Sequence, residues 1–206
     1  MNFTKDYVVL GRLGQVYFQR SQQEPSGAPS QHEFLIKSID AYTRALAVDP
    51  EDLPSHDGLS RCYAALGVDA PAGGDPVGGT AEEVAGLVAA SATGSATERT
   101  AGAVKLADAV TALGRKPPNA KSPRLKPLQA ARERVQTAYA AETDLTAKAA
   151  QAIALASIHR ELQALLKPDE LAKSATMQAY RSKHPAHNAA AEAIVIYPTN
   201  RESVGK

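Results

Sequence analysis

The chain has 206 residues, enough for one sizeable domain or two small ones. Lys and Arg number 23 against 22 Asp and Glu, and the formal charge of +1 excludes a global field able to draw nucleic acid or an anionic membrane. A single cysteine, Cys62, excludes an internal disulfide framework and any multi-cysteine metal site, and no apolar run approaches the ~20 residues of a membrane span.

In chain order, Thr4 is placed to cap a first helix over Lys5–Arg20, in which Tyr7, Leu10, Leu13, Gly14, Tyr17 and Phe18 recur at three- and four-residue spacing and share a face. The polar stretch 21–30 (SQQEPSGAPS) reads as a loop. A second helix follows over Gln31–Val48 with Phe34, Leu35, Ile39, Tyr42, Ala45 and Leu46 on one stripe, and Pro50 stops it. A third runs from Leu53 to Leu66, with Pro54 in its first turn and Gly67 as C-terminal cap. Residues 68–80 (VDAPAGGDPVGGT) are too rich in Gly and Pro for regular structure and mark a boundary.

Two Ala-rich helices come next, Ala81–Ala90 and Ala96–Leu113, with shallow apolar faces made mostly of Ala and Val. The segment 114–127 (GRKPPNAKSPRLKP) reads as an extended basic connector. Helices over Leu128–Ala141 and Leu145–Leu166 are expected to pair as an antiparallel hairpin across Glu142–Asp144. Pro168 ends the latter, Asp169 caps a further helix to about Lys183, and the tail Ala193–Tyr197 (AIVIY) reads as an extended strap. Ala-rich stretches bearing Glu, Lys, Arg and Gln favour helix, so the class is all-α. The expected division is a helical unit over 1–67, a weakly helical and basic linker segment over 68–127, and a helical hairpin with tail over 128–206.

Leu13, Gly14 and Tyr17, then Ser38, Tyr42, Ala45 and Pro50, resemble the two helices of a tetratricopeptide repeat, a helical hairpin of about 34 residues closed by proline. The spacing between the two helix motifs exceeds the consensus by about 12 residues, which the loop at 21–30 absorbs. Leu59, Ser60, Tyr63, Leu66 and Gly67 fall in register for the first helix of a second unit, whose second helix is missing or degenerate. The resemblance implies a fragment of α-solenoid that docks a peptide or protein on a concave face near Leu10, Arg12, Tyr17, Arg44 and Arg61. At least about three stacked repeats are usually needed for stability, so the C-terminal helices are expected to cap the stack and the AIVIY strap to seal it.

Residues 159–201 resemble the C-terminal end of bacterial tetratricopeptide proteins linked to multihaem c-type cytochromes. No Cys-x-x-Cys-His is present, so the resemblance implies a haem-free subunit or fragment whose partner carries the haem. The opening MNFTKDYVVLGRLG lacks the pattern of a secretory signal, so a cytoplasmic location is expected, or a periplasmic or extracellular one within a cytochrome assembly.

Residues able to carry chemistry are sparse. His184 and His187 have the spacing of a metal or axial haem ligand pair but lack a third ligand, and read as a polar turn. His159 lies on a helix without the second histidine of a zincin; it reads as hydrogen-bonded or surface-placed, and His32 and His56 near helix starts suggest nothing catalytic. Cys62 reads as a small packing residue. Gly73, Gly74, Gly78 and Gly79 match no phosphate loop. Arg115, Lys116, Lys121, Arg124 and Lys126, interleaved with Pro and without aromatics, read as a solvated linker rather than a nucleic-acid site. The expectation is therefore a non-enzymatic interaction scaffold with no cofactor, no metal, no nucleic acid and no membrane span.

Overall fold

The structure is a computed structural model that describes residues 6–71, 80–115 and 124–167, and of Ala81 the backbone alone. Five of the seven described helices begin where a side chain satisfies the first free amides. Helix α1 (Tyr7–Ser21) is capped by Asp6, whose carboxylate accepts from the amides of Val8 and Val9. Asp6 takes the place expected of Thr4 because an anion both binds two orphan donors and complements the positive helix end. Helix α2 (Pro29–Val48) starts two residues earlier than the spacing suggested, because Pro29 at its first position needs no hydrogen-bond partner there. Helix α3 (Leu53–Leu66) is capped by Asp52. Capping boxes, Thr80 with Glu83 and Ser95 with Glu98, open α4 (Ala81–Ala92) and α5 (Ala96–Gly114). Helix α6 (Leu125–Ala141) begins three residues before the expected Leu128, with Pro127 in its first turn, and α7 (Leu145–Leu166) is capped by Asp144. The expected helix to Lys183 and the AIVIY strap lie outside the described residues.

The class is all-α, and among the described residues no strand occurs. Helices α1, α2 and α3 pack in sequence, each antiparallel to the last: Ser38 on α2 meets Gly14 on α1 and Cys62 on α3, while Tyr42, one turn later, meets Gly58. A Cβ at Gly14 would lie 2.8 Å from the Tyr42 ring, and one at Gly58 would overlap it, so the two glycines form the socket that this ring fills. Helices α4, α5, α7 and α6 close a ring in that order, each in contact with the next and α6 returning to α4. In that bundle Gly102 brings α5 against the backbone of α4, where a Cβ would stand 2.6 Å from the carbonyl carbon of Ala90.

Helix α7 joins the two sets. It runs antiparallel to α3, with His159 beside His56, Ala156 beside Ser60 and Ile153 beside Gly67. Eleven of its residues are buried, from Ala147 to Leu162, and they cover all but one side of the helix, where Arg160 and Ala164 are exposed. Gly67, read from the sequence as a cap glycine, has an ordinary φ of −95°. Its missing side chain is needed for another reason, because a Cβ would stand 2.6 Å from Ile153. One hydrophobic core runs from Leu35 and Tyr42 through Val88 and Leu106 to Ile158 and Leu162. The boundaries expected near 67 and 127 therefore do not separate independent cores: α3 needs cover on its second face, and α7 supplies it from far along the chain.

Candidate functional site

Helices α1 and α3 diverge above the buried Tyr42 ring and leave a groove of about 620 Å³. One wall is the α1 stripe Tyr7, Val8, Gly11, Arg12, Gln15 and Phe18, whose three- and four-residue spacing turns a single helical face toward the cleft. The other is Pro54, Asp57, Gly58 and Arg61 on α3. Burial pushes the Tyr42 hydroxyl up to about 12, so the floor is uncharged. Charge sits on the rim. Asp52 is occupied in capping the Ser55 amide, and Asp57 pairs with Arg61 at 2.7 Å. Arg12 donates to the Gln15 side chain at 3.0 Å, and among the described residues no carboxylate pairs with it. The net result is a cleft with apolar and polar walls whose two guanidiniums and two carboxylates balance, and in which the Arg12 guanidinium is not engaged by a carboxylate. That arrangement suits a carboxylate next to an apolar group.

Of the five residues expected on the binding face, Arg12 and Arg61 line this groove. Leu10 does not present a surface, because its side chain is 3% exposed in the α1 contact with the rest of the fold. Tyr17 is half-buried on the side of α1 near Lys37, and Arg44 pairs with Asp40 on the exposed side of α2 at 3.5 Å. The apolar face read for α1 is likewise split: Leu10 and Gly14 are buried, whereas Tyr7 and Leu13 are more than a third exposed.

Behind the groove a chain of hydrogen bonds ties the first three helices together. The Cys62 thiol donates to Ser38 Oγ at 3.2 Å, and the Ser38 hydroxyl donates to the Gly14 carbonyl at 2.8 Å. Burial pushes the thiol up to about 11, so Cys62 stays protonated and serves packing.

A second cluster lies between α3 and α7. His56 and His159 are each 1% exposed, and their Nδ1 atoms stand 3.0 Å apart. His159 also stacks on the Tyr63 ring, with centroids 5.9 Å apart. Burial lowers both imidazoles below their ordinary range, His159 furthest, with Arg132 opposing the charged form of each. Sequence reading set these two histidines aside. They lie 103 positions apart, and only the antiparallel α3–α7 contact brings them together.

His184 and His187, with most of the segment resembling cytochrome-associated proteins, lie outside the described residues, as do Gly73, Gly74, Gly78, Gly79, Lys116 and Lys121. Arg124 donates to the Leu113 carbonyl at 2.9 Å, which ties the end of the connector to α5. Among the described residues no group of three or more His, Cys, Asp or Glu is arranged to hold a metal ion, and no helix is long and apolar enough to cross a membrane. Compared with known proteins, the chain matches no family model, no curated sequence and no solved structure.

Proposed function

We propose that this chain is a non-enzymatic interaction module of the tetratricopeptide type, and that the α1/α3 groove holds a short peptide bearing a carboxylate. The observation that carries the reading is the groove of about 620 Å³ with apolar and polar walls and an Arg12 guanidinium that no carboxylate among the described residues engages. Two further features support it. The antiparallel order of α1, α2 and α3, with Tyr42 seated between Gly14 and Gly58, is compatible with helical hairpins stacked as in a repeat and supports the reading. Helix α7 packs antiparallel against α3, a cover that supports reading α3 as the first helix of a second unit lacking a second helix of its own.

Panning the full chain against a random peptide library tests the proposal. Selected peptides should carry an acidic side chain or a free C-terminal carboxylate beside apolar residues, and bind about tenfold less tightly to Arg12→Ala. A chain that captures no peptide in saturable fashion, or captures peptides insensitive to Arg12→Ala, would sink the proposal.

A further inference from the structure

A partly open pocket of about 160 Å³, sharing no lining residue with the groove, is lined by Thr43, Leu46 and Ala47 of α2, Leu59 of α3, Arg132 and Gln136 of α6, and His159 of α7. Three polar atoms of its lining are buried without a hydrogen-bond partner: Thr43 Oγ1, Arg132 Nε and His159 Nε2. An orphaned polar atom in a protein interior carries an uncompensated desolvation cost, and three around one void point to an occupant.

The hydrogen-bond pattern fixes what kind of occupant. His56 Nε2 lies 3.1 Å from the Pro50 carbonyl, which can only accept, so Nε2 carries the proton. In a neutral ring His56 Nδ1 is then a bare acceptor, and its 3.0 Å contact is satisfied only if His159 Nδ1 donates. His159 Nε2, on the ring edge away from His56, is left as a bare acceptor on the cavity wall. Arg132 supplies the opposite requirement, a cationic donor. Its side chain is 16% exposed, and among the described residues its ion pair is a 3.4 Å contact from Nη2 to the exposed Glu133. The cavity thus asks for a negative oxygen at Arg132 and a hydroxyl hydrogen at His159. A metal cation at the free imidazole nitrogen would face the guanidinium across the same small space.

We infer that this cavity binds a small oxyanion that retains a hydroxyl group, of the monohydrogen or dihydrogen phosphate class, with Arg132 holding the charged oxygen and His159 Nε2 accepting from the hydroxyl. Thr43 and Gln136, each able to donate or accept, complete the ring of contacts. The volume is on the order of five water volumes, which suits four oxygens around one centre and is too large for a single bridging water. Ala47, exposed at the rim, leaves a side open for access.

Sulfate is the discriminating control, because it matches phosphate in shape but carries no hydrogen at neutral pH. Calorimetric titration of the full chain in a phosphate-free buffer should show saturable one-to-one binding of inorganic phosphate, with sulfate weaker by about tenfold or more. Phosphate should also shift the ¹⁵N resonance of His159 Nε2 in histidine-labelled protein, as expected when a bare nitrogen begins to accept. Arg132→Gln should abolish binding; because that variant could lose stability, Thr43→Val serves as a milder test and should weaken phosphate without affecting the fold. Sulfate binding as tightly as phosphate would overturn the assignment, as would phosphate leaving the His159 resonance unmoved, the result expected of a cavity filled by water alone.

Discussion

The two halves of this molecule are held together by different means. Helices α1–α3 lock through a few large groups, a Tyr42 ring between two glycines and a relay from Cys62 to Ser38 to Gly14. Helices α4–α7 have almost no aromatic residues inside, and pack through Ala103, Leu106, Val110, Val88, Leu128, Val135 and the alanines of α7. Small side chains bury little area each but let helix axes come close, and close axes recover many weak contacts. In the Ala-rich set specificity comes from a polar device. Glu142 accepts from Arg99 at 2.6 and 2.8 Å, and also from the amides of Thr143 and Asp144, which fixes the α6–α7 turn against α5. A large ring in its socket registers the first set, while in the Ala-rich set the Arg99–Glu142 pair adds a fixed point to the close approach at Gly102.

The comparison is broken most severely by cutting the two halves apart. Helix α3 buries His56, Ser60 and Tyr63 against α7 and the bundle, and Ser60 Oγ donates to the Ala156 carbonyl at 2.9 Å. A fragment ending at Gly67 exposes all of these, and three helices without that cover lack the area needed for a stable core. It should show no cooperative thermal transition by circular dichroism. A sharp melt from that fragment would mean that α1–α3 stands alone and that α7 is an accessory.

How much of this was legible in the sequence follows the same division. Helix limits in α3 and α7 are set by local signals, Pro54, Gly67 and the proline at 168, and the spacing places them to the residue. The hairpin of α6 and α7 was readable for the same reason, since its three-residue turn leaves no other partner within reach. What the spacing could not show is the fold-level pairing of α3 with α7, because neither helix carries a mark of its remote neighbour. One signal was present: α7 is apolar or small nearly all round its circumference, the pattern of a central helix rather than of one member of a surface hairpin. Leu10, expected on the binding face, is buried, because an amphipathic stripe and a concave face look alike without the third dimension; Arg12, two positions on, lines the groove.

The two halves should also separate along the pH axis. His56 and His159 have depressed values in the fold through burial and the nearby Arg132, with the Pro50 carbonyl and Asp52 acting in the opposite sense on His56. The unfolded chain therefore takes up protons first. Stability from this pair is complete above about pH 6.5 and falls below it, by up to about 1.4 kcal/mol per pH unit for each histidine. Glu142 is held down to about 2 by Arg99, so its contribution is complete above about 4.5 and fades as pH falls toward about 2. Urea denaturation from pH 8 to 3 should show both declines, and Glu142→Gln should remove the lower one while leaving the slope just below pH 6.5 intact. A profile flat from pH 7 to 5 would mean the buried histidine pair does not remain neutral.

The smallest effect is a contrast between two helical glycines. Gly58 abuts the Tyr42 ring, whereas Gly86 on α4 has no foreign atom within 4 Å of where a Cβ would sit. Alanine is favoured over glycine within a helix by about 1 kcal/mol, the same gain at both sites before contacts are considered. At Gly86 that gain stands alone, so Gly86→Ala should stabilise by about 0.5–1 kcal/mol. At Gly58 the methyl forces the ring from its socket, an overpacking cost of about 1–3 kcal/mol that exceeds the gain, so Gly58→Ala should lower the denaturation midpoint. Opposite signs for one substitution would show directly that the first three helices are held by the shape of a single socket, while the Ala-rich helices tolerate added bulk wherever their faces are open. Gly58→Ala raising the midpoint as Gly86→Ala does would mean that Tyr42 can move aside, and with it the floor of the groove.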